Sequence, residues 1–405
     1  MKVLHVLQFS LPRLDGYCVR SDAILRAQQA HGLDVVAMTG AAENMGQGEE
    51  ELINGVRYYR TPGTVNRSRR GLREWKRYRR LMGRLAAVAD RERPDVIHVH
   101  SPAYNALAAL KVARRRGIPC VYEMRAVWED AAADRREVSS ASLLYRAARA
   151  LETHVLKRCD YVVTICQGLR GEVLSRGISA NKILVMPNAV DPEYFQPSPR
   201  DSRLAVSLGL TREGPIIGFI GSMFAYEGVE DLVEAIPRVL ARFPKTQFMI
   251  VGGGEREPHV RERVARFGFG NSVVLVPRVP HDQVRSLYSL VDCLTYPRRS
   301  VRLTELVTPL KPLEAMAMQK TVLASNIGGH REMVEHDRTG LLFEPGKTDA
   351  LVEVLCRAAA EPDLLARLSQ AGRRYVIEQR TWKGVTANYL PLYESVVASK
   401  KRVVP

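Results

Sequence analysis

Two doubly wound α/β domains in tandem, joined by a hinge, are what the 405-residue sequence predicts. Short runs that are apolar throughout, bounded by Gly, Pro or Asp, fit parallel strands covered on both faces. Helix-length stretches separate these runs, the alternation that winds a parallel sheet. The rhythm stops once, in a proline-rich stretch, and then restarts.

In chain order, the first set of runs is KVLHVLQ (2–8), DVVAMT (34–39), DVIHVH (95–100), CVYEM (120–124) and YVVTIC (161–166). Helical stretches between them include Ser21–His31, Ala103–Arg116 and Leu143–Arg158. PNAVDPEYFQPSPRDSR (187–203) then carries four prolines and no periodicity, and reads as a hinge. The second set is PIIGFIGS (215–222), QFMIVGGG (247–254), VVLVPRV (273–279), DCLTYP (292–297), TVLAS (321–325) and GLLFEP (340–345). The domains are accordingly set at 1–195 and 213–380, with the linker at 196–212 and a closing helical tract at 381–405. A ligand cleft between two such domains is the expected site.

Composition narrows the partners. The net charge of +16 favours anionic ones: nucleic acid, phosphorylated substrates or an acidic membrane leaflet. Cys18, Cys120, Cys159, Cys166, Cys293 and Cys356 show no C-x-x-C or zinc-ligand spacing, and several sit in apolar runs where a reduced thiol acts as a small hydrophobe. No metal and no cofactor are expected. The N-terminal apolar run, broken by Gln8 and Ser10, reads as a first strand rather than a signal peptide, and no stretch is apolar for the length of a membrane span. These features place the chain in the cytoplasm.

Chemistry concentrates in the second half. GSMFAYEG (221–228) ends a strand and opens a helix: Gly221 admits close backbone approach, and a helix N-terminus behind it can face a diphosphate, although a plain tight turn has the same pattern. VGGGERE (251–257), with Gly253, lacks the third glycine of G-x-G-x-x-G and is no Walker loop, so a close-approach turn and an ordinary turn both fit. The most informative segment is YPRRSVRLTELVTPLKPLEAMAMQKTVLASNIGGHRE (296–332). Arg298, Arg299, Arg302 and Lys311 crowd a loop entering a helix near Pro312 and Leu313, an arrangement that can clamp phosphate. Glu314 in the first turn can accept two hydrogen bonds from vicinal ribose hydroxyls. Singly, each charge reads as a solvated face or a dipole partner; together they read as a site.

The order G-S…E-G, V-G-G-G, P-L-E-A-M-A…K-T-V-L-A-S…G-G-H-R-E and T-G-L-L-F-E-P-G resembles the retaining glycosyltransferases of family four, across essentially the whole second domain. P-D-V-I-H-V-H (94–100) extends the resemblance into the first. It implies a GT-B fold: two Rossmann-like parallel-sheet domains facing a cleft, with the C-terminal helix from Trp382 crossing back to the N-terminal domain. SLPRLDGYCVRS (10–21), HSPAYNALAAL (100–110), YEMRAVWEDA (122–131) and YPRRSVRLTELVTPLKPLEAMA (296–317) are similar to the branch associated with exopolysaccharide and exosortase gene clusters. The implied activity is metal-independent hexosyl transfer from a nucleotide-diphosphate sugar, such as a UDP-sugar, to a glycan or lipid-linked acceptor.

Carried over residue by residue, the resemblance makes Glu314 the ribose ligand, the second glutamate of E-x7-E. The first falls at Leu306, with Glu305 one position out of register. The family's phosphate-binding Arg and Lys correspond to Ser222 and Glu227, so both cations are missing. A departing diphosphate gathers negative charge that something must neutralise, and Lys311 with Arg298, Arg299 or Arg302 is the expected substitute. Gly16, Gly221, Ser222, Gly253, Val279, Pro312 and Leu313 complete the expected donor contacts. In the N-terminal domain, DGYCVRS (15–21) replaces a glycine-rich loop, with Arg20 as a further charge or an exposed helix-start residue. Arg125 stands where many relatives carry a His. Glu129 or Asp130 is expected to orient or deprotonate the acceptor, with His100 as the alternative.

RSRRGLREWKRYRRLMGR (67–84) places Leu72, Trp75, Tyr78 or Arg79, Met82 and Leu85 at helical spacing under a cationic face. It is either a fold helix with a solvated exterior or a dock for an anionic leaflet, which would put the protein on the inner face of the plasma membrane. Two other classes compete: a basic nucleic-acid-binding protein, for which only Trp75 and Tyr78 interleave the charge, and a GT-B nucleotide-sugar 2-epimerase, against which the motif order tells.

Overall fold

The computed structural model describes residues 1–13, 15–40, 48–61, 70–130, 142–211 and 213–401, of 70–74 the backbone alone. The chain forms two units, Met1–Pro187 with Trp382–Pro405, and Asn188–Thr381. Each is a twisted sheet flanked by helices, the two Rossmann-like halves the apolar runs predict.

The first unit is built from β1 (Lys2–Leu7), α1 (Gly16–Ala30), β2 (Asp34–Thr39), β3 (Glu50–Ile53), β4 (Val56–Tyr59), α2 (Arg70–Glu92), β5 (Val96–His100), α3 (Ala103–Arg116), β6 (Cys120–Met124), α4 (Leu143–Arg158), β7 (Tyr161–Thr164), α5 (Gln167–Ser175) and β8 (Ile183–Val185). Its sheet order is β3-β4-β2-β1-β5-β6-β7-β8, all parallel except the β3–β4 hairpin. Side chains of β1, β5 and β6 are buried on both faces, which is why these strands read as unbroken apolar runs. The edge hairpin has no such run, since β3 alternates exposed and half-buried residues. Asp15 accepts from the Cys18 backbone N–H and so starts α1 earlier than the expected Ser21.

The second unit runs α6 (Ser202–Ser207), β9 (Ile216–Ser222), α7 (Val229–Arg242), β10 (Gln247–Gly253), α8 (Glu257–Phe267), β11 (Val273–Val276), α9 (Val284–Leu290), β12 (Cys293–Tyr296), α10 (Arg302–Leu306), α11 (Lys311–Ala317), β13 (Thr321–Ser325), α12 (Gly328–Arg331), β14 (Gly340–Phe343), α13 (Thr348–Ala360) and α14 (Pro362–Gln379). Its all-parallel sheet has the order β11-β10-β9-β12-β13-β14. The chain then returns to the first unit as α15 (Trp382–Thr386) and α16 (Tyr389–Lys401).

The boundary differs from the expected linker at 196–212. Those residues belong to the second unit, and the chain changes unit at Pro187–Asn188. Asp201 caps α6 by accepting from Leu204 N–H, and Ala205 and Leu210 are buried in the second unit's core. Proline content marked a break in rhythm, but apolar residues after it were enough to fold the segment onto the following domain.

Candidate functional site

Within the second unit, the ends of β9 and β12 and the start of α11 converge. Gly221 and Ser222 close β9, in register with Gly252 and Gly253 of β10. A Cβ at Gly252 would fall 1.8 Å from the Gly221 carbonyl oxygen, and its φ of +146° is one that only glycine adopts readily. The VGGG run is therefore a backbone-to-backbone approach that brings two strand ends together.

The turn after β9 buries Glu227, which is 2% exposed. Arg298, from the loop after β12, donates to Glu227 Oε1 at 2.7 Å and Oε2 at 3.1 Å. Lys311 Nζ lies 3.2 Å from the same Oε1, with its nitrogen buried and no aligned hydrogen bond of its own. It rests 5.4 Å from the centre of the Phe219 ring and against Gly221, where a Cβ would meet Nζ at 2.2 Å. Burial raises the Glu227 pKa, but the Arg298 and Lys311 charges outweigh it and hold the carboxyl down to about 2. Burial dominates at Lys311 and lowers its ammonium pKa, against the raising effect of Glu227.

One turn along α11, Glu314 accepts from the Tyr288 hydroxyl at 3.1 Å, and burial raises its pKa. The Tyr296 hydroxyl donates to the Lys311 carbonyl at 3.2 Å, fixing the first turn. Pro312 and Leu313 are buried and anchor the helix. Val279 packs at the border of the same core. The structure thus brings together Gly221, Arg298, Lys311 and Glu314.

Other expected residues are placed elsewhere. Arg299 is held by Asp231 at 2.7 and 2.9 Å, and Arg302 is an exposed first residue of α10. Glu305 is committed: it accepts from Gly328 N–H at 2.7 Å and Ser300 Oγ at 2.6 Å, with Arg331 at 3.4 Å. Leu306 closes α10 as a half-buried residue and offers no carboxylate. His330 of the G-G-H-R-E motif is buried; its Nδ1 meets the Ser325 carbonyl at 2.9 Å, and burial pulls its pKa to about 3.

In the first unit, the acceptor-side candidates are all buried and committed. Glu129 pairs with Arg176, which also holds Glu172 at 2.9 Å. Asp130 accepts from the Tyr145 hydroxyl at 2.5 Å. Gly16 is exposed at the start of α1, while Arg20 is not an exposed helix-start residue. It is buried, 3.3 Å from Glu123, and donates to the carbonyls of Met186 at 2.9 Å and Pro187 at 3.2 Å.

Arg125 and His100 belong to a buried hydrogen-bond chain that sets the tautomers of its three histidines. Arg125 Nη2 donates to His100 Nδ1 at 2.6 Å, so His100 carries its proton on Nε2 and donates to His5 Nδ1 at 2.9 Å. His5 then donates through Nε2 to Gln28 Oε1 at 2.9 Å, and Gln28 Nε2 to the Tyr393 hydroxyl at 3.0 Å. Tyr393 donates to His98 Nδ1 at 2.7 Å, which turns the His98 Nε2 proton toward Glu123, 3.5 Å away. Glu123 accepts from Arg125 Nε at 2.9 Å and from the Tyr389 hydroxyl. The sequence hinted at this through His5, His98 and His100 on facing strands and an acid inside CVYEM. Burial brings His5 to about 3 and His100 to about 4, so both are neutral. The three imidazoles have ligand atoms within 4.8 Å of one another. Their nitrogens are spent on this chain apart from His98 Nε2, and the adjoining Arg20 and Arg125 repel a cation, so the donor set does not suit a metal.

Comparison with known proteins gives the family. Residues 15–189 match the model of a glycosyl transferase 4-like domain, and residues 214–361 that of glycosyl transferases group 1. A GDP-mannose-dependent alpha-mannosyltransferase of Mycolicibacterium smegmatis is 26% identical over 401 residues, covering 99% of both chains. An alpha-maltose-1-phosphate synthase of the same organism is 27% identical over 337 residues, 78% of this chain and 83% of its own. Among solved structures, Anabaena HepE in complex with UDP-glucose superposes with a TM-score of 0.75 at 17% identity, covering 98% of this chain and 100% of its own. With a glycosyltransferase model matching each parallel-sheet half in turn, the chain belongs to the family-four glycosyltransferases of GT-B fold.

Proposed function

We propose that the chain is a retaining, metal-independent hexosyltransferase that moves a sugar from a nucleotide-diphosphate sugar to a hydroxyl of a glycan or lipid-linked acceptor in exopolysaccharide synthesis. The convergence at the start of α11 carries this reading: Lys311 stands one turn from Glu314, and Arg298 meets Lys311 on a shared Glu227 oxygen. That spacing suits a nucleoside diphosphate, with Glu314 on the ribose hydroxyls and the cations on the phosphates. The departing diphosphate gains charge as the glycosidic bond breaks, and fixed buried cations favour that state without reorganising. No step in this scheme asks for a divalent ion. Names among the relatives, GDP-mannose in one and UDP-glucose in another, support a nucleotide hexose as donor.

The test is a panel of UDP- and GDP-hexoses with simple glycoside and polyprenyl-phosphate-sugar acceptors. A product whose anomeric configuration by NMR matches the donor, formed equally with and without EDTA, is expected. Inversion at that carbon overturns the retaining assignment, and loss with EDTA that Mg²⁺ or Mn²⁺ restores overturns metal independence.

A lipid-linked acceptor calls for a place at a membrane. No helix among the described residues is long and apolar enough to cross one. Right-handed crossovers set α2, α3 and α4 on one face of the first sheet, where α2 packs on α3 and α3 on α4. Their exterior exposes Arg79, Arg80, Arg114, Arg115, Arg146 and Lys157, and Asp90 is its one exposed acid among residues with described side chains. Trp75 is 54% exposed, correcting its expected place in the apolar stripe, which is formed by Leu81, Leu85 and Val88. Arg69, Arg70 and Arg73 lie outside the described side chains. Exposed Leu143 and Leu144 add apolar contact at the start of α4. This face suits an anionic leaflet. Cosedimentation with phosphatidylglycerol vesicles, weakened by salt and by Arg79→Glu with Arg80→Glu, is expected; equal binding to phosphatidylcholine vesicles contradicts it.

A further inference from the structure

We infer that Glu227 is a positioning residue of the diphosphate clamp: its carboxylate bridges Arg298 and Lys311 and keeps both cations side by side at Gly221. The inference rests on the reading of this site as a nucleoside-diphosphate site. An acid at that place opposes the anion to be bound. The geometry explains it. Arg298 and Lys311 converge on one oxygen, Glu227 Oε1, at 2.7 and 3.2 Å. Two cations this close and this buried repel each other, and burial alone favours the neutral amine of a lysine. A carboxylate between them offsets both penalties and leaves a site with one net positive charge. Two nearby groups among the described residues do less: Glu314 lies one turn along α11 and is held by Tyr288, while buried His330 is neutral.

Glu227 and Lys311 therefore make a matched pair. The acid stands where the family resemblance places a lysine, and the cation comes instead from α11 through the space that Gly221 leaves open. Removing the acid alone does not simply improve anion binding. It lets Lys311 lose its proton at a lower pH, so the pH limb of binding moves down relative to the native chain.

The experiment is calorimetric titration of UDP and GDP into the full-length chain at pH 7, 8 and 9, comparing native protein with Glu227→Gln. Native affinity is expected to change by less than about threefold across this range. In the variant it falls by at least ~10-fold, approaching tenfold per pH unit once Lys311 titrates below the working pH. Adding Lys311→Arg to Glu227→Gln flattens the profile, because arginine keeps its proton. If Glu227→Gln does not fold, Glu227→Asp carries the test, with a shift in the same direction. Parallel profiles for native and variant chains overturn the role of Glu227, since a merely structural acid would lower the melting temperature without moving the limb. Failure of the native chain to bind either nucleotide at millimolar concentration overturns the site reading itself, a separate result.

Discussion

Lys311 reaches its place only because position 221 has no Cβ, and the two glycines of this crossing answer to different neighbours. At Gly221 an added methyl meets the flexible end of Lys311, at 2.2 Å. Gly221→Ala is thus expected to displace the ammonium and weaken nucleotide binding by about tenfold while costing little stability. At Gly252 the added methyl meets the Gly221 carbonyl, which cannot yield, at a backbone angle that strains any other residue. Gly252→Ala is expected to cost on the order of 1–3 kcal/mol of stability. Thermal melts and nucleotide titrations of both variants separate the two effects; a folded Gly221→Ala with native affinity contradicts the placement of Lys311. Glu314→Ala, by contrast, removes the half-buried carboxylate proposed to hold the ribose. It is expected to raise the donor KM more than it lowers kcat, with the loss smaller for a donor lacking the ribose 2-hydroxyl.

Among elements, α15 and α16 belong to the first unit through specific polar ties rather than apolar cover alone. Tyr389 donates to Glu123, and Tyr393 joins Gln28 to His98. Tyr393→Phe leaves Gln28 and His98 without their shared partner and is expected to destabilise by about 1–3 kcal/mol, measured by denaturant unfolding. The strands were legible in the sequence because a parallel sheet buried on both faces writes its own apolar run, as VIHVH and CVYEM do. The β3 edge strand was not, because alternating exposed and half-buried residues leave no run. Arg298, Lys311 and Glu314 were legible from local crowding at one strand-to-helix passage. Glu227 was legible only as a lost lysine, because its partners lie 71 and, on α11, 84 positions away and sequence spacing cannot show a charge pair at that separation. The same kind of gap hides the Glu129–Arg176 pair, whose members lie 47 positions apart.

At the scale of the whole molecule, the buried histidines couple stability to acidity. His5 and His100 titrate near 3 and 4 in the fold and near 6.5 in the unfolded chain. Their contribution is complete above pH 6.5 and is lost as pH falls toward 4, since the unfolded chain takes up protons first. From pH 7.5 to 5 each such histidine removes on the order of 2 kcal/mol. Below pH 4.5 the depressed carboxyls of Glu123 and Glu227 add their own losses. Melting temperature is therefore expected to fall steeply from pH 6.5 to 5, and less steeply in His5→Gln; a flat profile contradicts the neutral histidines. The central claim, that this family-four glycosyltransferase meets its donor diphosphate with Lys311 in place of the missing phosphate ligands, has a direct test in steady-state turnover of Lys311→Ala. The account predicts a fall in kcat/KM of at least ~10²-fold with the fold retained, and turnover near the native level would contradict it.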